Sequence, residues 1–232
     1  MNEDRAALEE FGGVARLFPL PGLVFFPNAI QPLHIFEPRY RQLTADALAG
    51  DRLITLVLLR PGWEKTYDHR PEIHPVACLG RVIADQELPD GRYNLLLRGL
   101  ARVRVRHELD GSEPYRRARA EVIDDTGADD VDALMDQRAA LADLMLPRFA
   151  DGPVREHLLG LFQGELPLGP LCDVLAFALP LPPDAKQALL ETACVLDRAR
   201  RLMAAFEDAP YLPKGPAAGG KDRKFPPDFS MN

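Results

Sequence analysis

The rhythm of hydrophobic and polar positions changes once along the chain, near Asp124. Before that point apolar residues come in short runs or alternate with polar ones, which is the period of extended strands. Residues 52–59 and 76–84 are apolar runs of strand length, partly β-branched. Pro89-Asp90-Gly91-Arg92 contains the Asp-Gly pair that supplies positive φ for a tight reversal, so it predicts a hairpin with strands over residues 81–88 and 93–98. Arg102-Val-Arg-Val-Arg alternates, which predicts Val103 and Val105 on a core face and Arg102, Arg104 and Arg106 on a wet one. Another strand over 116–123 completes a series of about six. One helix is predicted within the series. It follows Glu37, with Pro38 in its first turn and Tyr40, Leu43, Ala47 and Leu48 at helical spacing.

Beyond Asp124 the period is helical. Val131, Leu134, Met135, Leu141, Leu144 and Met145 form one apolar stripe, with Asp129 or Asp130 available as a cap. Val154, Leu158, Leu161 and Phe162 mark a second helix, and Leu168, Leu171, Cys172, Leu175 and Leu179 a third that ends at Pro180. A last helix is predicted from Pro183 to about Phe206, with Leu189, Ala193, Leu196, Met203 and Phe206 inward and Asp197, Arg198, Arg200 and Arg201 outward. Residues 208–232 carry five prolines and little periodicity, the pattern of an extended tail. The predicted class is therefore α+β, with a β-rich lobe over 1–125, a helical lobe over 126–207 and a tail over 208–232.

Composition narrows the function classes. Hydrophobic residues are 47% and charged residues 27%, as in a folded globular protein, and the net charge of -7 disfavours a general nucleic-acid or membrane coat. The acidic start lacks the basic region and apolar run of a signal peptide, and no stretch is long and apolar enough to span a membrane, so a cytoplasmic location is expected. Three dispersed cysteines, Cys78, Cys172 and Cys194, read as reduced, buried side chains.

The inventory of reactive groups points away from catalysis. Ser112 and Ser230 are the only serines, and neither lies in a nucleophile elbow. Gly215 to Lys221 mimics the start of a phosphate-binding loop, but Asp222 stands where a magnesium-binding Ser or Thr belongs. His69, His74 and Cys78 lack the paired spacing and fourth ligand of a metal site, so no metal, cofactor or catalytic residue is expected. His34, between Leu33 and Ile35, reads as a core or edge histidine with a hydrogen-bond partner.

Residues 17–27, Leu-Phe-Pro-Leu-Pro-Gly-Leu-Val-Phe-Phe-Pro, followed by Pro32-Leu-His-Ile-Phe-Glu-Pro-Arg-Tyr, Leu88-Pro-Asp-Gly-Arg and Leu97-Arg-Gly-Leu-Ala-Arg-Val, resemble the successive blocks of the Lon protease amino-terminal, substrate-binding domain. Residues 181–192 and Leu196-Asp-Arg-Ala are similar to that family's helical end. The resemblance spans residues 14–206. It implies a PUA-like β pseudo-barrel followed by a helical lobe, without the ATPase and peptidase that follow this domain in Lon. Pro19, Pro21, Pro27 and Pro32 each remove a backbone donor and so suit strand edges and turns. Phe36 is expected to fill the core beside the helix, and Glu37 to bond helix-start amides or the arginines beyond.

The function implied is non-catalytic binding of unfolded polypeptide segments or of a partner protein, through a surface between the two lobes. Its expected contacts are aromatic edges at Phe26, Pro27, Trp63 and Tyr67, since unfolded chains expose apolar groups that folded surfaces lack. The alternative is an RNA- or nucleotide-binding face built on Arg102, Arg104 and Arg106. Seven arginines between 98 and 119, at 98, 102, 104, 106, 116, 117 and 119, outnumber Glu108, Asp110 and Glu113 by four.

Overall fold

Strands β1 (Val14–Leu20), β2 (Ile30–Ile35), β3 (Leu53–Leu58), β4 (Val76–Glu87), β5 (Tyr93–Leu109) and β6 (Arg116–Ile123) form one sheet in the order β2-β5-β4-β3-β1-β6. Strand β6 also pairs back onto β5, so five strands close on themselves and β2 lies alongside. Closure depends on the 17-residue length of β5. Its first part pairs with β2 and its second with β6, while β4 follows its other edge. Register shifts between Leu79 and Gly80 and between Val105 and His107 supply the local bend that a small barrel requires.

These strands belong to the first of two compact units, which divide between Asp124 and Asp125; the structure, a computed structural model, describes residues 2–65 and 70–209. The barrel interior is filled from all five closed strands by Ala15, Leu17, Leu53, Leu79, Val103 and Ala118 among others. Small side chains alternate with large ones there, which lets the narrow interior pack without voids. Helix α1 (Asn2–Glu9) had no counterpart in the predicted elements; its Ala7 is buried against the same cluster, with Leu8 and Phe11 beside it. Asp4 of α1 bonds Arg98 at 3.2 Å.

Every residue of β3 is buried, because both of its faces are covered. Leu53 and Val57 face the interior cluster, and helix α2 (Pro38–Ala49) packs on β1 and β3. Tyr40, Leu43 and Ala47 of α2 are buried, and the Tyr40 ring meets Phe18 edge to face at 4.2 Å. The predicted helix after Glu37 is thus present. The predicted strands at 93–98 and 102–106 are one continuous strand instead. Gly99 does not interrupt it, because the chain at Phe26–Ala29 crosses over it: Asn28 N–H donates to Gly99 O and Gly99 N–H to Ala29 O, both at 2.9 Å.

The second unit contains α3 (Val131–Met145), α4 (Pro153–Gln163), α5 (Leu168–Ala178), α6 (Pro183–Glu191) and α7 (Val195–Glu207). Asp130 caps α3 by accepting from Ala133 N–H at 3.0 Å. Arg138 of α3 donates to the carbonyls of Leu161, Phe162, Gly164 and Leu166, satisfying groups that the end of α4 leaves without helical partners. Leu141, Met145, Leu171, Leu202 and Phe206 are fully buried, each stabilising the unit by roughly 1.5–3 kcal/mol. Val131 and Met135, placed on the predicted apolar stripe, are instead more than 60% exposed, as is Val154. Only the later turns of α3, at Leu141 and Met145, are covered.

The predicted last helix is two helices. It breaks at Thr192–Cys194, where Thr126 N–H donates to Ala193 O at 3.1 Å and Val195 N–H donates to Thr126 O at 2.8 Å. Arg198, expected to point outward, is 0% exposed. Its guanidinium donates to Thr192 O at 2.9 Å, Ala193 O at 3.2 Å, Gly169 O at 3.4 Å and Asp173 at 3.2 Å, and it pairs with Asp125. Burial opposes its charge, but the Asp125 hydrogen bond and the two carboxylate charges more than offset this and raise its pKa. A break in a helix exposes carbonyls; here one side chain collects them.

Candidate functional site

An open, partly apolar groove lies in the β unit between the end of β1, strand β2 and the start of α2. About 130 Å3 of space is bounded by Phe18, Leu20, Pro21 and Leu23 on one side and by residues 31–37 with Tyr40 on the other. The local sequence explains its shape. An alternating strand turns every second side chain inward, so the consecutive apolar pair Ile35-Phe36 cannot both enter the core. Ile35 is buried at 2% and Phe36 is left 43% exposed. Phe36, expected in the core, is therefore a groove residue.

The groove floor is held by polar contacts. His34 Nδ1 lies 2.8 Å from Asn94 Oδ1, and Arg92 donates to His34 Nε2 at 3.3 Å. Because a guanidinium only donates, this arrangement places the imidazole proton on Nδ1. The oriented ring stacks on Phe36 at 6.3 Å. Glu37 accepts from Arg39 at 2.8–3.0 Å and makes no side-chain bond to the helix amides, so of its two expected roles the arginine contact is the one formed.

Among the described residues, strand β2 pairs only with β5. The bond from Gly99 N–H to Ala29 O fixes the ladder phase, so residues 31, 33 and 35 bond β5 while Ile30, Pro32 and His34 turn their backbone groups to the free edge. Pro32 has no N–H, and its carbonyl accepts from Gln31 Nε2 at 2.7 Å. The middle of the edge therefore offers no ladder, which protects it against chance strand pairing. An incoming segment must be held through side chains.

The residues singled out from the sequence are not brought together here. Phe26 is 0% exposed and Pro27 is buried, because this stretch lies against β5 at Gly99. Neither is a surface contact, which corrects the expectation. Trp63 opens a 3-10 turn, Trp63–Lys65, is half-buried, and lines neither this groove nor the one beside it. Tyr67 lies outside the described residues, as do His69, the loop at 215–221 and nearly all of the tail. Cys78 and Cys172 are buried and Cys194 half-buried, and none of the three is in a disulfide among the described residues. The described residues contain no cluster of three metal-ligating side chains.

The arginine face is also rearranged. Arg102 is 3% exposed, whereas Arg104, which like it is paired to both β4 and β6, is exposed. Arg106 falls in the bulge and bonds Glu121 at 2.6 Å, and the charge of Arg104 also acts on that carboxylate. Arg98, Arg116 and Arg117 pair with Asp4, Glu108 and Glu113. The local excess seen in the sequence is thus largely neutralised by strand register and by α1. Sequence reasoning missed Leu20, Leu23, Phe36 and Tyr40, although the doubled apolar pair at 35–36 ending an alternating strand was a usable signal.

The profile of the ATP-dependent protease La (LON) substrate-binding domain matches residues 14–206. This chain belongs to that family. It is 29% identical over 196 residues to a Lon protease of Dictyoglomus thermophilum, covering 82% of this chain and 24% of the relative. A Lon protease 2 of Thermus thermophilus is 30% identical over 196 residues, covering 82% and 23%. The chain thus spans about a quarter of the length of the curated relatives it matches. Among solved structures, the Lon N-terminal domain protein of Xanthomonas campestris aligns with a TM-score of 0.59 at 23% identity, covering 82% of this chain and 97% of the other. The N-terminal domain of Mycobacterium avium complex Lon protease aligns with a TM-score of 0.62 at 17% identity, covering 84% and 98%. At these identities the likeness establishes the fold, which is α+β and consistent with a PUA-like β unit. No helix among the described residues is long and apolar enough to cross a membrane.

Proposed function

We propose that this chain is a non-catalytic polypeptide-binding module that holds unfolded segments, or an apolar segment of a partner protein, in the groove between β1, β2 and α2. The observation that carries the reading is Phe36, a large aromatic left 43% exposed on a wall of Leu20, Leu23 and Tyr40 and oriented by His34. A rigid aromatic beside a shallow apolar floor gains contact area from many different side chains, which suits recognition without strict sequence readout. Three dispersed cysteines outside any disulfide fit a reducing, cytosolic setting. The nucleic-acid alternative loses support from the burial of Arg102 and the pairing of Arg106.

The test is fluorescence anisotropy of a labelled apolar peptide or reduced, unfolded protein titrated with the chain in the absence of ATP. Phe36→Ala removes the exposed ring and is expected to weaken binding about tenfold, as for a modest interface hot spot. Trp63→Ala is expected to leave affinity within about twofold. An unchanged affinity for Phe36→Ala would remove the groove from the reading.

A further inference from the structure

A second concavity of about 100 Å3 lies against the first and shares Tyr40 with it. Its walls include Pro19, Tyr115 and three arginines, Arg39, Arg70 and Arg116, against one carboxylate, Glu113. Tyr40 lines both concavities. Phe18 meets its ring edge to face at 4.2 Å, and the Arg39 guanidinium lies 4.7 Å from the ring centroid. Phe18, Leu20, Leu23 and Phe36, with Gln31, His34 and Glu37 among them, thus line the first concavity, and three arginines line the second.

The charges are unequally engaged. Arg39 pairs with Glu37 at 2.8 Å, Arg116 with Glu108 at 2.5 Å, and Glu113 with Arg117 at 2.8 Å. Arg70 is exposed and meets no carboxylate among the described residues. Among the described residues, the wall charges Arg39, Arg116 and Glu113 each sit in an ion pair, and Asp46 behind Tyr115 is engaged by Tyr115 and Gln42, so the wall charge left to meet a ligand is Arg70. Tyr115 does not supply a compensating anion. Burial, together with its 2.7 Å hydrogen bond to Asp46, pushes its phenol up to about 12 and keeps it protonated.

Resting on the polypeptide-binding reading above, we infer that the double groove selects peptide segments in which an apolar side chain is flanked by acidic residues, the apolar group seated between Phe36 and Leu20 and the carboxylate held at Arg70. A basic flank would meet the cationic side and be rejected, so the site reads charge next to grease without reading a sequence. Retention of the carboxylate depends on a solvent-exposed ion pair, which gives the preference a modest size and a salt dependence.

The experiment uses the full chain and three labelled peptides that share one Leu-Phe core and differ only in flanking Glu, Gln or Lys pairs. At low salt the Glu peptide is expected to bind about tenfold tighter than the Lys peptide, from two opposed exposed charge contacts. The gap should shrink to about twofold near 0.5 M salt. Arg70→Glu should erase the gap and leave the Gln peptide unchanged, Arg70→Gln should remove about half of it, and Phe36→Ala should weaken all three peptides equally. Equal affinity for the three peptides, with Phe36→Ala still weakening them, overturns the charge selectivity and leaves the proposed function standing. A gap that survives Arg70→Glu overturns the assignment of the carboxylate site. No binding by any peptide overturns both readings.

Discussion

Arg198→Met tests the account of the helical unit most severely. The guanidinium is 0% exposed and serves five acceptors, three of them carbonyls at Gly169, Thr192 and Ala193 and two of them the carboxylates of Asp125 and Asp173. The Asp173 side chain is 2% exposed, so without Arg198 its charge has little access to water, whereas that of Asp125 is 31% exposed and can rehydrate. Removing one member of a buried pair costs about 3–5 kcal/mol, and each orphaned buried carbonyl about 1 kcal/mol or more, part of which entering water recovers. The net expectation is a loss of about 4 kcal/mol, a large share of the roughly 5–15 kcal/mol that holds a domain folded. Urea unfolding followed by far-UV circular dichroism measures it, since most helical signal comes from α3 to α7. Lysine at 198 offers a single ammonium in place of the planar fork and should recover less than half. Adding Asp173→Leu to Arg198→Met removes the stranded carboxylate and should restore about 2 kcal/mol. A loss below about 1 kcal/mol for Arg198→Met, the size of an exposed ion pair, would refute the reasoning. So would a double variant no more stable than the single one.

Two further predictions concern backbone approach and pH. A Cβ on Gly99 would stand 2.0 Å from Phe26 O, a backbone atom that cannot swing aside, so Gly99→Ala must displace the 26–29 crossing and its two hydrogen bonds. It is expected to cost about 2–4 kcal/mol and to lower the melting temperature by roughly 5–10 °C in a thermal scan; a melt unchanged within error would show that the crossing is not tight. Burial lowers Lys186 to about 8 from 10.5, and its ammonium donates to Phe177 O at 2.7 Å. Between those two values the unfolded chain holds the extra proton, so stability should rise with pH by about 1–2 kcal/mol after allowance for solvent screening, whereas below about 8 both states are charged and the dependence vanishes. Lys186→Met should abolish that rise in urea midpoints compared at pH about 7 and about 10; a rise of the same size in the variant would assign it to another group.

Much of the first unit was legible because its signals are local. The all-buried β3, the Asp-Gly reversal before β5 and the proline-opened α2 each follow from a few adjacent residues. The candidate site was less legible. Phe25-Phe26-Pro27 has the composition of an exposed aromatic edge, yet it is buried by β5, a strand that begins more than sixty residues later. The groove is formed by side chains from the end of β1, from β2 and from α2, and only Phe36 carried a local sign of exposure, as the second member of an apolar pair where one alone fits inward.

The sequence by itself determined where strands give way to helices, which turns reverse the chain and which family the ordered motifs resemble, since periodicity, φ preference and motif order are properties of neighbouring residues. Only the tertiary structure decided which charges matter. Asp4 and Glu121 reach Arg98 and Arg106 through packing and strand register, and the broken helix at Thr192–Cys194 turns Arg198 from an apparent surface residue into a buried hub. Charge pairing and burial depend on distance in space, and closure of β5 onto β6 brings together residues that no window along the chain contains.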